Sequence, residues 1–257
     1  MTELADTPPS RQDSRHFRRG IYLLPSIFTV GNMFCGYACI MFAMRGDLES
    51  AAPFIGFAVV LDMLDGRVAR MTRTSSAFGL ELDSLADIIS FGLAPAVLAF
   101  AWGLSDLGRV GWAVGFVYVT AAAMRLARFN IQSTTQVDKR YFVGMASPAA
   151  AGIIASTVYA WPYPLAGVAQ SVGAMAVVLI PAVLMVSTFR FRSFQTINFG
   201  WSLSYINTML VAALIALIAI EPRVTLVILA YGYLISALIE MALTRFRGHR
   251  DVAPPGA

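Results

Sequence analysis

Charged residues are scarce in this sequence. They make up 13% of its 257 residues, whereas hydrophobic residues make up 58%. Soluble domains carry about 25% charged residues, so the shortage excludes an ordinary soluble domain and indicates a chain that lies in a lipid bilayer. We expect one membrane-embedded domain over residues 21–244, with a cytoplasmic arm over 1–20 and a cytoplasmic tail over 245–257.

Histidine and cysteine are also rare. The two histidines, His16 and His249, lie in polar terminal segments, so histidine ligation or histidine catalysis has little support. The two cysteines, Cys35 and Cys39, lie one helical turn apart in an apolar run. This spacing favours a packing role over a disulfide or a metal site. Any chemistry is therefore expected from other side chains.

Long apolar segments recur along the whole chain. A helix needs about 20 mostly apolar residues to cross a bilayer. Eight segments reach that length, which predicts an all-α, polytopic membrane helix bundle of about eight transmembrane helices. The segments are residues 21–44, 51–71, 78–103, 108–128, 143–165, 171–189, 201–220 and 223–244.

The positive charges are distributed unevenly over the breaks between these segments. With the N-terminus inside, sixteen of the 19 lysines and arginines fall on the cytoplasmic side. That bias is typical of a protein in the bacterial cytoplasmic membrane with both termini inside. Contact with membrane lipids explains the basic charge, and nucleic-acid binding is not required. Gly111 and Gly115 form a small-xxx-small pair that indicates a possible homodimer contact.

Four aspartates stand out because ionised carboxylates are costly in a bilayer. Asp62 and Asp65 are three residues apart and share a helix face, and Asp83 and Asp87 are four apart and share another. Two antiparallel helices joined by a short turn would bring the two faces together at the inner membrane surface. Random loop acids would not fall at this spacing.

The residues between these aspartates are small. Gly66, Ala69 and Gly79 lie one turn from an aspartate, so the predicted pocket has carboxylates on its walls and free space between them. Mg²⁺ and Mn²⁺ prefer oxygen ligands that substrate phosphates complete, and a pair of such ions can orient a phosphoryl centre. The pattern therefore predicts a divalent-metal site for a phosphate compound. Arg70 adds a phosphate donor or, alternatively, a membrane anchor.

The complete string is Asp62-x2-Asp65-Gly66-x2-Ala69-Arg70-x8-Gly79-x3-Asp83-x3-Asp87. It resembles, at every fixed position, the signature of the CDP-alcohol phosphotransferases. The resemblance implies a six-helix catalytic core that moves a phosphatidyl-type group from a CDP-linked lipid to an alcohol and releases CMP. It implies that the four aspartates hold two divalent metals and that Asp87 is the base. It further implies a CDP site lined by Gly66, Ala69, Arg70 and Gly79.

The first apolar segment extends the resemblance. The family often shows Pro-Asn-x2-Thr-x2-Asn, and this chain reads Pro25-Ser26-x2-Thr29-x2-Asn32. Ser26 departs from the family pattern, which puts any role at that position in doubt. Asn32 matches, so the resemblance implies that it contacts the nucleotide.

Two further segments bear on the acceptor alcohol. Arg125-Leu-Ala-Arg128-Phe-Asn130 and the run from Gly144 to Gly152 are similar to family members that use serine. The resemblance implies CDP-diacylglycerol as donor, L-serine as acceptor, and phosphatidylserine and CMP as products. Arg125 and Arg128 lie on one helix face and suit a carboxylate or phosphate, although an anchor at the inner membrane edge is an equal interpretation.

Three alternatives remain open from the sequence. The acceptor could be glycerol phosphate, inositol phosphate or choline in place of serine. A membrane prenyltransferase also presents aspartates to a metal-bound diphosphate, but its two acidic motifs lie on separate halves of the bundle. A divalent-cation transporter would place acids deep within several spans, whereas here they cluster on two adjacent helices.

Overall fold

The computed structural model describes residues 13–72, 77–134, 141–187, 190–192 and 205–248. Within these ranges the chain is almost entirely helical, and the predicted all-α membrane bundle is confirmed. The helices are α1 (Asp13–Met44), α2 (Leu48–Thr72), α3 (Ala77–Asp87), α4 (Ala94–Trp102), α5 (Arg109–Thr134), α6 (Ser147–Ala160), α7 (Val168–Val186), α8 (Tyr205–Ile220) and α9 (Pro222–Gly248). A π-helical turn (Ile88–Leu93) joins α3 to α4, and a 3₁₀ turn (Leu104–Leu107) precedes α5.

Both predicted terminal segments extend beyond the described residues. α1 begins at Asp13, inside the predicted arm, and α9 ends at Gly248, inside the predicted tail. Residues 1–12, 249–257 and 73–76, the last of these between α2 and α3, lie outside the described ranges.

Five stretches of the described residues are long and apolar enough to cross a membrane, as expected of an integral membrane protein. They are Ile27–Met44, Phe78–Trp102, Arg109–Gln132, Val168–Val186 and Pro222–Ile239.

The other three predicted spans correspond to α2, α6 and α8. α6 has 14 residues, which is less than the roughly 20 residues that a span needs. α8 has 16 residues, and the first four residues of the predicted segment 201–220 lie outside the described ranges. α2 is long enough at 25 residues, but its C-terminal half carries Asp62 and Asp65 together with arginines. α2 is therefore less apolar, and α6 shorter, than the sequence segments suggested.

Small side chains form the contact between α1 and α2. Ala43, Ala51 and Ala58 are buried there, so the two helices approach closely. Cys35 and Cys39 are free thiols that are buried in the same core, which confirms their predicted packing role.

Large apolar side chains cover the outer surface of the bundle. Phe34, Phe57, Trp112 and Phe116 are each more than half exposed in the isolated chain. An exposed apolar surface of this size marks a contact region, and acyl chains cover it in a bilayer.

Two short strands, which the sequence did not predict, tie two connections together. β1 (Tyr141–Val143) pairs antiparallel with β2 (Arg190–Arg192), so that Phe142 faces Phe191. Gly144 follows β1 with a φ of +88°, and a Cβ there would lie 2.4 Å from the carbonyl oxygen of Met185. The pair fixes the start of α6 beside the end of α7.

The last helix packs back onto the bundle. Leu234 and Ala237 of α9 are buried, and the Tyr231 hydroxyl lies 3.0 Å from the Thr157 hydroxyl of α6. At its other end Arg223 pairs with Glu49 at the start of α2. α9 is therefore held to both α2 and α6.

Gly111 of the small-xxx-small pair is used within the chain. A Cβ at this position would lie 1.9 Å from the carbonyl oxygen of Leu104 in the 3₁₀ turn, so only glycine permits the contact. A Cβ at Gly115 would meet no atom of the described part of the chain within 4 Å.

Candidate active site

Three of the four aspartates come together at the facing ends of α2 and α3. One carboxylate oxygen from each of Asp62, Asp83 and Asp87 lies within 4.8 Å of the other two. The helical spacing places Asp83 and Asp87 on one face of α3, and α2 supplies Asp62. Like charges at this separation repel strongly unless a cation or protons neutralise them.

Asp65 lies beside this group rather than within it. Its Oδ2 accepts a hydrogen bond of 3.0 Å from the Thr29 hydroxyl of α1, and its carboxylate is within hydrogen-bonding range of Asp83. Asp65 is 4% exposed, so water reaches little of it. Thr29 belongs to the motif noted in the first apolar segment, although the sequence does not reveal its partner.

Asn32 reaches Asp87 from α1. Its Nδ2 donates to Asp87 Oδ1 at 3.3 Å, and Asn32 itself is fully buried. Its own Oδ1 has no hydrogen-bond partner among the described residues. A buried acceptor without a partner is rare in proteins, and a bound water or ion or a catalytic role is among the explanations for it.

The cluster fits a divalent cation. Asp83 Oδ1 is also buried and lacks a hydrogen-bond partner in the described part of the chain. An uncompensated carboxylate oxygen next to two further carboxylates is costly, and a hard cation with oxygen ligands removes that cost. Asp62, Asp83 and Asp87 therefore form a suitable donor set.

The remaining residues of the string have different surroundings, and two of them are described only in their backbone. A Cβ at Gly66 would meet no atom of the described residues within 4 Å, so these residues leave the space beside it open. Gly79 lies in α3 one turn before Asp83. Ala69 and Arg70 are part of α2, but their side chains lie outside the described part of the structure.

The two arginines of α5 have separate environments. Arg125 donates to the buried Ser147 hydroxyl at 2.6 Å and is close enough to Asp62 and Asp87 to attract both carboxylates. Arg128 donates instead to the Val186 carbonyl at the end of α7, at 3.4 Å. Although Arg125 and Arg128 share a face of α5, their guanidinium groups have different partners, and Arg125 is the one near the aspartates.

Several polar contacts around the site were not found from the sequence. The Asn130 side chain donates to the Ser84 hydroxyl at 2.8 Å, and that hydroxyl donates to the Leu80 carbonyl. Ser90 donates to the Asn32 carbonyl at 2.8 Å. These partners lie 46 and 58 residues apart, so no local spacing could have indicated them.

Comparison with known proteins identifies the class. The family model for CDP-alcohol phosphatidyltransferase matches residues 22–189, which is more than half of the chain. The chain therefore belongs to the CDP-alcohol phosphatidyltransferase family, as the aspartate string indicated. The match begins in α1 and ends just after α7, so α8 and α9 lie beyond it.

Similar proteins carry a more specific name. The chain is 37% identical over 222 residues to the Helicobacter pylori protein named CDP-diacylglycerol–serine O-phosphatidyltransferase. The alignment covers 86% of this chain and 91% of that protein. Proteins of the same name from Mycobacterium leprae and Bacillus subtilis are 42% and 36% identical over 135 and 125 residues. These matches cover 51% and 49% of this chain, and 45% and 69% of the respective relatives.

Proposed function

We propose that this chain transfers the phosphatidyl group of CDP-diacylglycerol to the hydroxyl of L-serine and forms phosphatidylserine and CMP. The observation that carries the proposal is the convergence of the Asp62, Asp83 and Asp87 carboxylates next to Arg125 in a membrane bundle. Family membership supports the CDP-linked donor, and the names of the relatives support serine as the acceptor.

The four aspartates are the proposed metal ligands. Asp62, Asp83 and Asp87, with Asp65 beside them, would hold two divalent cations, either Mg²⁺ or Mn²⁺. When bound, these ions would offset the negative charge of the diphosphate and of the departing CMP.

Asp87 is the proposed base. The serine hydroxyl gives its proton to Asp87 while the serine oxygen forms a bond to the lipid-side phosphorus. The bond from that phosphorus to the CMP oxygen breaks, and CMP leaves with the bonding electrons. Asn32 supports this role by holding Asp87 Oδ1 through its amide. The Asn32 Oδ1, which has no hydrogen-bond partner among the described residues, would accept a hydrogen bond from the nucleotide.

Arg125 is the proposed anchor for the serine carboxylate or a lipid phosphate. A guanidinium fork matches the two oxygens of such an anion, and Ser147 holds one of its nitrogens in place. Gly66, Ala69, Arg70 and Gly79 are the proposed lining of the CDP site. Arg128 is a weaker candidate for the anion anchor than Arg125, because its guanidinium already donates to the Val186 carbonyl at the end of α7.

The proposed orientation puts the site at the cytoplasmic face of the bacterial cytoplasmic membrane. CDP-diacylglycerol would enter from the inner leaflet and serine from the cytoplasm. The excess of lysine and arginine on the inner side supports this orientation. A homodimer stays a prediction, and Gly111 does not support it because that glycine contacts its own chain.

The test is an acceptor screen. The purified protein is incubated with CDP-diacylglycerol, Mn²⁺ or Mg²⁺, and one alcohol at a time: serine, glycerol phosphate, inositol phosphate or choline. We expect CMP release that depends on both the metal and serine, with phosphatidylserine as the lipid product. Release that depends on glycerol phosphate and not on serine would replace the proposed acceptor and keep the donor chemistry.

A further inference from the structure

A π-helical turn follows Asp87 directly. Its characteristic hydrogen bond runs from the Ala94 N–H to the Ile89 carbonyl, five residues back. A π-turn is wider than an α-turn and is found frequently at functional sites. Because the wider turn rotates the helix before it relative to the helix after it, the direction of the Asp87 side chain depends on the shape of this turn.

α1 holds the π-turn and Asp87 at the same time. Ser90, the third residue of the turn, is fully buried and donates to the Asn32 carbonyl at 2.8 Å. The Asn32 amide in turn donates to Asp87 Oδ1. Gly36, one turn further along α1, permits this approach, since a Cβ there would lie 2.8 Å from the Cα of Ser90. A single residue of α1 therefore binds both ends of the segment from Asp87 to Ser90.

α5 supports the opposite side of the turn. The Tyr118 hydroxyl donates to the Phe91 carbonyl at 3.1 Å, and the Tyr118 side chain is fully buried. A buried tyrosine hydroxyl normally has such a partner, and here the partner is the backbone of the π-turn itself. The turn is thus fixed by one hydroxyl from its own sequence and one from α5.

We propose that Ser90 and Tyr118 are positioning residues for Asp87: they hold the π-turn against α1 and α5 and so set the place of the Asp87 carboxylate relative to Asp62 and Asp83. The inference rests on the proposed function only in taking Asp87 as a metal ligand. The Ser90 hydroxyl acts through the backbone of Asn32, and the Tyr118 hydroxyl acts through the backbone of the π-turn at Phe91.

The experiment compares two pairs of variants of the full-length protein in detergent. Ser90→Ala and Tyr118→Phe each remove one of the two hydroxyls. Ser156→Ala is the matched control for the first, because among the described residues the buried Ser156 hydroxyl donates to the Ile153 carbonyl of its own helix. Tyr231→Phe is the control for the second, because the Tyr231 hydroxyl contacts Thr157 between α6 and α9.

Mn²⁺ binding is measured by the loss of the electron paramagnetic resonance signal of free Mn²⁺, which does not require turnover. We expect Ser90→Ala and Tyr118→Phe to weaken Mn²⁺ binding about tenfold, the effect typical of residues that orient metal ligands. With CDP-diacylglycerol and serine, kcat should fall further than the KM for serine changes. Both controls should bind Mn²⁺ like the unmodified protein.

Wild-type Mn²⁺ affinity in both hydroxyl variants, with only a lower thermal unfolding midpoint, would overturn the inference and reduce the two hydroxyls to a structural role. If the unmodified protein binds Mn²⁺ but releases no CMP with serine, the proposed acceptor fails while the Mn²⁺ comparison still decides the positioning role. If the unmodified protein binds no Mn²⁺, both proposals fail.

Discussion

At the scale of single residues, Asp87 combines a place in the carboxylate cluster with a fixed orientation. A buried amide holds one of its oxygens, and a π-turn begins at the next residue. A base must lie within hydrogen-bond reach of the proton that it takes, so a fixed carboxylate suits this role better than a mobile one.

Replacing Asp87 by asparagine tests the role of the base. Asparagine keeps the size and the hydrogen bond to α1 but cannot take a proton at neutral pH. We expect the rate of CMP release to fall at least about 100-fold, with CDP-lipid binding largely retained. Asp47→Asn is the control, since Asp47 caps the start of α2 through the Ser50 N–H and asparagine caps equally well. Full activity of Asp87→Asn would show that Asp87 is not the base.

Arg125→Lys tests the anion anchor. Lysine keeps the positive charge but replaces the guanidinium fork by a single point charge, so bidentate binding of a carboxylate is lost. We expect the KM for serine to rise about tenfold, which corresponds to roughly one hydrogen bond to a charged group. Arg109→Lys at the other end of α5 should leave the KM unchanged. An unchanged KM in Arg125→Lys would leave the arginine with the membrane-anchor role.

Among the residues of the site, the sequence predicted those whose spacing is local. The four aspartates lie at helical intervals, so their shared faces follow from the chain alone. Arg125 is a candidate from the sequence and Ser147 lies in the run from Gly144 to Gly152, but their contact depends on how α5 and α6 pack. The spacing treats Asp65 like the other aspartates, whereas the structure places it outside the closest three and against Thr29.

At the scale of elements, the contact between α1 and the π-turn depends on one glycine. We expect Gly36→Ala to destabilise the fold by about 1–3 kcal/mol, because the added Cβ meets backbone atoms that cannot rotate away. Gly56→Ala in α2 is the control, since a Cβ there meets no atom within 4 Å and alanine favours a helix. Thermal unfolding in detergent measures both. Equal midpoints would show that the π-turn moves to accommodate a methyl group.

Hydrophobic length predicted the helices but not their interruptions. The apolar segment 78–103 reads as one span, and it contains α3, the π-turn and α4 in succession. A π-turn needs partners such as Asn32 and Tyr118, which lie far away in the sequence. The strands β1 and β2 have three residues each and join positions about 50 residues apart, so their alternation is too short to be recognised.

At the scale of the whole molecule, the dependence on metal follows from the crowding of carboxylates. We expect EDTA to abolish CMP release and added Mn²⁺ or Mg²⁺ to restore it, because substrate diphosphate would otherwise meet several negative charges. The measurement is the rate of CMP release against free metal concentration. Release that persists in EDTA after dialysis would contradict a metal site in this cluster.

The orientation of the bundle is tested by labelling from one side. The native cysteines are buried, so a membrane-impermeant maleimide should react with them slowly. In intact spheroplasts the proposed orientation predicts labelling of Ser105→Cys, in the 3₁₀ turn after α4, and not of Gln132→Cys, near the C-terminal end of α5. Opening the membrane should expose the second position. The reverse pattern would place the aspartates outside the cell.

The pairing of Arg223 with Glu49 also bears on biosynthesis. The two partners are 174 residues apart, so the ribosome makes the start of α2 long before it makes α9. Until α9 is made, lipid headgroups or water must therefore solvate the Glu49 carboxylate. The Arg223 guanidinium can reach Glu49 only after α9 has been made. A ribosome that stops before codon 223 would leave a chain that contains every aspartate of the cluster and still lacks this ion pair.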